Sequence, residues 1–128
     1  MANRLLIRDP SARRIWAASH SWCMACGTSK PDFRGFSVHH IIRGNGRSDE
    51  PCNYLFLCGE CHDLAENHCL VKDGELLPRL TLGACLSLKK EREPEQFDLA
   101  RCMELAGRTL ELEPVPEYFA TAFRMNRL

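Results

Sequence analysis

The sequence predicts a small α+β fold in which two short strands and a helix are held together by paired cysteines. Two β-rich segments in the first half of the chain lead directly into a helical segment, and a C-x2-C pair stands on each side of the two strands. The second half is patterned for helices, with one short hairpin. The chain has 128 residues, which is the size of one domain.

The composition argues against a membrane span and against a long basic surface. Hydrophobic residues make up 45% of the chain and charged residues 27%, both ordinary for a globular protein. No stretch approaches the roughly 20 apolar residues of a membrane helix, and the N-terminus lacks the apolar core of a signal peptide. We therefore expect an intracellular, cytoplasmic protein. The formal net charge of +0 still permits a compact site with few phosphate contacts.

The N-terminal segment, residues 1–19, is predicted to form one helix. Asp9 is in the position of an N-cap and Pro10 in the first turn, and the helix should end near Ser19. Its apolar residues Ile15 and Trp16 are expected to face the core.

The middle segment, residues 20–68, is predicted to begin with a tight C-x2-C turn, here called a knuckle. A strand, a loop, a second strand, a second knuckle and a helix follow in that order. We predict strands over 36–42 and 54–57, a loop over 44–49 between them, and a helix over 58–66.

The C-terminal segment, residues 69–128, is expected to pack on the middle segment within a single domain. The predicted elements are a hairpin with an Asp-Gly turn over 71–76 and helices over 81–91, 95–110 and 116–127. The buried side of the second of these helices is predicted to carry Phe97, Ala100, Leu105 and Leu110. A dimer surface or a docking surface for a larger assembly is equally compatible with this segment, and the oligomeric state stays open.

Four of the eight cysteines form the two C-x2-C pairs, Cys23 with Cys26 and Cys58 with Cys61. In a reducing compartment such pairs indicate metal or redox chemistry. Two C-x2-C turns supply the four thiolates of a tetrahedral zinc site, and a closed four-sulfur shell is structural. The remaining cysteines are predicted to be small buried hydrophobic residues, two of which lie near enough to be spare ligands (Cys52 and Cys69, with Cys85 and Cys102 further away).

Other interpretations of the cysteines carry less weight. One C-x2-C pair alone is typical of a redox site, but two pairs around one β unit favour zinc. The run from Cys58 to His62 also matches the attachment pattern of a c-type haem. Haem attachment normally needs export, and it leaves the first pair unexplained.

The histidines indicate a second site. His39 and His40 are adjacent on a predicted strand, so their side chains point to opposite faces and can take different roles, or a local distortion of the strand can bring both near one site. A neutral imidazole suits a general base near neutral pH, and it also binds metal. One histidine is expected to be the base and the other a metal ligand, while His62 in the first turn of the following helix can supply another ligand. His68 or Glu66 could also reach the metal if that helix starts at a different residue.

These pieces together resemble a known family. The ordered motifs CMACG, VHHIIRGNG and CNYLFLCGECH, within residues 20–68, resemble the HNH family of His-Me finger endonucleases, and in particular its zinc-bearing subgroup from phages and mobile elements. The resemblance implies a ββα-metal core with a four-cysteine zinc knuckle and additional C-terminal helices. It implies a metal-dependent DNA endonuclease.

The resemblance also assigns roles. His40 matches the general base, His39 and His62 match ligands of a catalytic cation, and Asn53 matches the residue that braces the loop and orients the base. Water activated by the base would attack the phosphodiester beside one Mg²⁺, Mn²⁺ or Ni²⁺ ion, leaving a 5′-phosphate and a 3′-hydroxyl.

DNA is the expected partner, alone or within a larger phage, restriction or recombination assembly. Contacts with its phosphates are expected from Arg34, Arg43 and Arg47. Asp63 and Glu66 stand where many relatives have basic residues. Together with the zero net charge, they motivate the alternative of a non-catalytic zinc module that binds nucleic acid or protein.

Overall fold

The computed structural model describes residues 5–127, so the first part of the predicted N-terminal segment lies outside the described residues. These residues form a mixed α+β fold with five α-helices and two small antiparallel sheets. The elements are α1 (Pro10–Ala18), β1 (Phe36–His40), β2 (Tyr54–Cys58), α2 (Gly59–Ala65), β3 (Val71–Lys72), β4 (Glu75–Leu76), α3 (Leu82–Arg92), α4 (Leu99–Ala106) and α5 (Glu117–Arg127). Within this range, no helix combines the length and apolar character that crossing a membrane requires.

The first sheet pairs β1 with β2 in antiparallel register, from Phe36 opposite Cys58 to His40 opposite Tyr54. All five residues of β2 are buried, because elements pack on both of its faces. The prediction that the first strand extends over 36–42 was wrong at its end. The chain bends after His40, where the Ile41 N–H donates to the carbonyl of Asn53 at 2.9 Å.

Helix α2 follows β2 without a connecting loop and packs on both strands of the sheet. The predicted loop over 44–49 contains a 3₁₀ turn at Gly44–Gly46, and a second 3₁₀ turn at Pro51–Asn53 leads into β2. The sheet and α2 therefore form a hairpin followed at once by a helix, and this unit carries Cys58, Cys61, His39 and His62, whereas Cys23 and Cys26 lie on the segment before β1.

The cap predicted for α1 is confirmed, since Asp9 Oδ1 accepts the Ala12 N–H at 3.0 Å. Trp16 is buried against the Tyr54 ring, with 5.1 Å between ring centroids. The expectation that Ile15 also faces the core was wrong, because its side chain is 73% exposed. A single aromatic residue is the buried anchor of this helix.

In the C-terminal segment the hairpin and α3 are confirmed. Asp73 and Gly74 both have positive φ, as the Asp-Gly turn predicted. Thr81 caps α3 by accepting the Ala84 N–H at 3.2 Å.

The next helix, α4, is shorter than the predicted 95–110. It begins after Asp98, whose Oδ1 accepts the Arg101 N–H at 3.0 Å, and it ends at Gly107, where φ is +71°. Both ends of α4 are thus set by capping residues that lie inside the predicted range, Asp98 at the start and Gly107 at the end. Leu105 and Leu110 are buried as expected, Phe97 lies half-buried ahead of the helix, and Ala100 is exposed, which corrects its predicted burial.

Candidate metal centres

The four cysteines of the two C-x2-C pairs form one cluster, with their sulfur atoms all within 4.8 Å of one another. Cys26 Sγ and Cys58 Sγ are 3.8 Å apart. Four sulfurs at the corners of a tetrahedron, each about 2.3 Å from a central zinc, would be about 3.8 Å apart. The four cysteines can therefore bind a metal such as zinc.

The first pair is held beside the sheet by the backbone. The Met24 N–H donates to the carbonyl of Phe56 at 2.8 Å, which aligns the first knuckle with β2. Cys23 is fully buried, and hydrogen bonds from Cys26, Cys58 and Cys61 lower the pKa of its thiol. These contacts thus favour the thiolate of Cys23, which is the form that binds metal, while the same cluster raises the pKa of the Cys26 and Cys61 thiols.

Helix α5 covers the knuckles. Asn126 Nδ2 donates to the carbonyl of Cys26 at 2.8 Å, and the Tyr118 hydroxyl donates to Glu60 at 2.6 Å. The C-terminal helix is thereby hydrogen-bonded to both knuckles, at Cys26 in the first and at Glu60 in the second.

A second cluster joins β1 to α2. His39, His62 and Glu66 each offer a ligand atom, and these atoms all lie within 4.8 Å of one another. His62 Nε2 is 3.2 Å from Glu66 Oε1, and His39 Nδ1 is 3.8 Å from the same oxygen. Two imidazoles and one carboxylate in this arrangement could hold a metal ion.

His39 supplies independent support for a ligand at this cluster. Its side chain is 3% exposed, and its Nδ1 atom has no hydrogen-bond partner in the described part of the chain. A buried nitrogen without a partner is rare because desolvation is not compensated, and a metal ion would compensate it. Burial, with help from nearby His62, lowers the pKa of His39 to about 3, so the ring is neutral and able to bind metal.

His62 is oriented toward the same point by a neighbour. Its Nδ1 atom lies 2.5 Å from the hydroxyl oxygen of Ser37, which leaves Nε2 facing Glu66. Burial lowers the pKa of His62 as well. A hydrogen bond to the distal ring nitrogen is the usual way in which a protein fixes a metal-binding imidazole.

His40 lies outside this cluster and has a partner of its own. Its Nε2 is 2.9 Å from Asp49 Oδ1, and both side chains are buried. The same oxygen also accepts from Arg13 and from the Tyr54 hydroxyl, each at 3.2 Å. Burial lowers the pKa of His40, and the hydrogen bond to Asp49 opposes that shift.

One cavity of about 190 Å³ brings His40 together with the metal-binding side chains. Its lining residues are Val38, His40, Arg43, Gly44, Arg47, His62 and Glu66. The predicted base and two members of the cluster therefore face one small space.

Asn53 is fully buried and tied to both sides of the preceding loop. Its Oδ1 accepts the Ile42 N–H at 2.6 Å, while its Nδ2 donates to the carbonyls of Ile42 and Ser48, both at 3.1 Å. These bonds close the segment that carries Asp49.

The three predicted phosphate-binding arginines differ in their surroundings. Arg34 is paired with Asp32 and Asp63, which raises the pKa of its guanidinium. Arg43 forms an ion pair with Glu66 Oε2, the oxygen that faces away from the two imidazoles. Within residues 5–127, the guanidinium of Arg47 has no ion-pair partner, so it is the most available of the three.

Glu66, one of the two additional ligands that the sequence offered, belongs to the cluster and follows His62 by one helical turn, whereas His68 does not belong to it. One residue of the site, Asp49, escaped the sequence analysis. Asp49 comes from an irregular loop, and no periodicity places a loop carboxylate beside a particular histidine. Of the proposed spare cysteine ligands, neither Cys52 nor Cys69 belongs to the four-cysteine cluster, and Cys69 is exposed, contrary to prediction.

Comparisons with protein-family models, with curated proteins and with solved structures each found no match to this chain.

Proposed function

We propose that this chain is a metal-dependent DNA endonuclease with a ββα-metal active site of the HNH type. The observation that carries the proposal is the cluster of His39, His62 and Glu66, in which the buried Nδ1 of His39 has no hydrogen-bond partner among the described residues, together with the cavity that His62 and Glu66 share with His40. The order of strand, strand and helix around this cluster agrees with the resemblance seen in the sequence.

The three cluster residues would hold one divalent cation, such as Mg²⁺, Mn²⁺ or Ni²⁺. The ion would supply positive charge next to the scissile phosphate and the departing 3′ oxygen. Arg43 steadies Glu66 from the side opposite the imidazoles, and Ser37 steadies His62.

His40 acts as the general base. Its Nε2–H donates to the Asp49 carboxylate, which leaves the lone pair of Nδ1 to take a proton from water. The oxygen of that water attacks phosphorus, the bond from phosphorus to the 3′ oxygen breaks, and the departing 3′ oxygen takes a proton from solvent water. The products carry a 5′-phosphate and a 3′-hydroxyl.

Arg47 is the best candidate for a phosphate contact, since it lines the cavity beside His40 and has no ion-pair partner among the described residues. One or two such contacts give weak, sequence-independent affinity that declines with salt. A larger phage or recombination assembly would then supply tighter binding to DNA.

A plasmid-nicking assay with Mg²⁺ or Mn²⁺ tests the proposal. Wild type should convert supercoiled plasmid to open circles, and His40→Ala should lower the rate by about 100-fold or more. His68→Ala is the matched control, because the side chain of His68 is 63% exposed. Equal activity of wild type and His40→Ala, or no activity in either, would contradict the assignment.

A second candidate function is a non-catalytic zinc module that binds nucleic acid or protein. It is favoured by the zero net charge and by the pairing of Arg34 with two aspartates. This alternative predicts one bound zinc per chain and no second divalent site that is lost in His39→Ala or His62→Ala.

A further inference from the structure

A second and larger cavity adjoins the candidate metal cluster. Its volume is about 400 Å³, and it shares His39 and Arg43 with the site described above. The loop after β1 forms one wall, while the start of α3 and the end of α4 form the other. The C-terminal segment, to which the proposed reaction assigns no role, thus builds half of a space beside the metal ligands.

The polar lining of this cavity carries basic and neutral side chains. It includes Arg43, which is paired with Glu66, and Arg108, together with the amides of Asn45 and Asn67, and no described lining residue is itself acidic. The whole chain has as many acidic as basic residues, 17 of each, so the absence of carboxylates here is a local bias. Arg108 is exposed at the rim and has no ion-pair partner within residues 5–127. Such a lining favours an anionic ligand.

The apolar lining residues are mainly Ile41, Ile42, Leu80, Leu82 and Leu105. Four of these five side chains are almost fully buried, so polar groups make up the larger part of the cavity surface. The volume lies within the range of roughly 300–1,000 Å³ that is typical of small-molecule sites. A nucleobase has a polar edge that the polar lining can bind, and a nucleotide adds the negative charge that Arg108 favours.

The wall contributed by α4 is held in place by a close backbone contact. A Cβ atom on Gly46 would lie 2.2 Å from the carbonyl oxygen of Leu105, so only glycine permits the observed approach of the loop to the helix. The cavity is therefore a fixed feature of the packing between the middle and C-terminal segments.

We propose that this cavity binds one unpaired nucleotide of a DNA strand, with the base inside the cavity, its polar edge facing the polar lining, and its phosphate at Arg108. The position of that nucleotide next to the scissile phosphate rests on the proposed function, whereas nucleotide binding itself does not. The preferred substrate is then DNA with an accessible base, such as a single strand or a branched junction, because a base stacked in duplex cannot enter.

Binding is tested without catalysis by following the methyl signals of Ile41, Ile42, Leu80 and Leu82 in NMR spectra during titration with thymidine 5′-monophosphate. Ala106→Leu fills the cavity from the half-buried end of α4 and should abolish the shifts. The matched control, Ala18→Leu, alters an exposed alanine of α1 and should bind as wild type does.

Arg108→Ala should weaken nucleotide binding about tenfold through loss of one charged hydrogen bond, whereas Arg14→Ala, at an exposed position of α1, should not. No methyl shifts in wild type, or shifts unchanged in Ala106→Leu, would overturn the proposal. Retained folding of each variant is checked from the dispersion of the same spectra.

Cleavage assays separate this proposal from the nuclease proposal. Wild type should cut a single-stranded or forked oligonucleotide at least about tenfold faster than a blunt duplex of the same sequence, and Ala106→Leu should lose that preference. Nucleotide binding without any cleavage would reject the nuclease and keep the nucleotide site. Cleavage without nucleotide binding would do the reverse.

Discussion

The Nε2 atom of His40 lies 2.9 Å from Oδ1 of Asp49, and the two side chains are 5% and 7% exposed. Asp49 is held in turn by the Asp9 N–H, the Arg13 guanidinium and the Tyr54 hydroxyl. The position of the carboxylate is therefore fixed by groups at the start of α1 and on β2, independently of its contact with the imidazole. An imidazole with one nitrogen committed in this way presents its other nitrogen in a single tautomer.

We expect Asp49→Asn to lower kcat for DNA cleavage by about 10- to 100-fold while the affinity for Mn²⁺ stays unchanged, because the amide no longer enforces the Nε2–H tautomer of His40. The kinetic constants and a long-range ¹H–¹⁵N spectrum of the imidazole measure the two effects.

Asp73→Asn is the matched control, since Asp73 lies in the exposed hairpin turn, at a positive φ that asparagine also adopts. An Asp49→Asn variant with wild-type kcat and tautomer would show that the contact has no orienting role.

Substitution of Cys58 by serine should release zinc and cost much of the fold's stability, since Cys58 ends β2 and joins the sheet to α2. Metal analysis by atomic emission and thermal unfolding followed by circular dichroism measure the change. Cys69→Ser, at an exposed cysteine outside the cluster, should keep one zinc per chain and the wild-type Tm. Full zinc content in Cys58→Ser would contradict the assignment of this ligand.

The variant Glu66→Gln should weaken binding of Mn²⁺ at the second cluster by about tenfold or more, because a neutral amide replaces the carboxylate that stands beside the two imidazoles as the anionic metal ligand. Calorimetric titration of zinc-loaded protein measures this affinity. Glu75→Gln, in the exposed hairpin, should bind Mn²⁺ as wild type does. Equal affinities in the two variants would remove Glu66 from the ligand set.

Acid should destabilise the protein partly through His39. The unfolded chain gains a proton on His39 as the pH falls below its ordinary pKa of 6.5, whereas the folded chain resists protonation until about pH 3. The free energy of unfolding therefore decreases as the pH is lowered from 6.5 toward 3. Between pH 7 and pH 5 the contribution is about 2 kcal/mol.

Denaturant unfolding of wild type and His39→Gln at both pH values, with no divalent ion other than zinc, measures that contribution. His39→Gln should lose less stability on acidification, while His68→Gln, at an exposed site, should follow wild type. Loss of zinc at low pH is common to all three proteins. Parallel pH profiles for wild type and His39→Gln would contradict the prediction.

Local signals in the sequence were sufficient for much of the fold. Asp9 and Thr81 marked the starts of two helices because their side-chain oxygens accept backbone N–H groups of the first helical turn, which have no partner within the helix. The spacing of the cysteines identified the four-sulfur cluster for a similar reason, since a C-x2-C turn brings its own two thiolates together.

The errors arose where tertiary packing decides. The segment 95–110 has a helical pattern throughout, yet the stronger caps at Asp98 and Gly107 shorten the helix. Ile15 is apolar, but it does not lie on the face of α1 that packs against the core, which is the face that carries Trp16. Asp49 contacts His40 through a loop whose path depends on the hydrogen bonds of Asn53, and such a path has no signature in one sequence.

Helix α2 has seven residues, and adjacent positions on it belong to different clusters: Cys61 to the four sulfurs and His62 to the imidazole–carboxylate group. One residue inserted between them would turn everything downstream by about 100° about the helix axis. His62 and Glu66 would then no longer point at His39. A substitution of Cys61 or His62 would affect one centre, whereas a change in the length of the helix would separate one centre from the other.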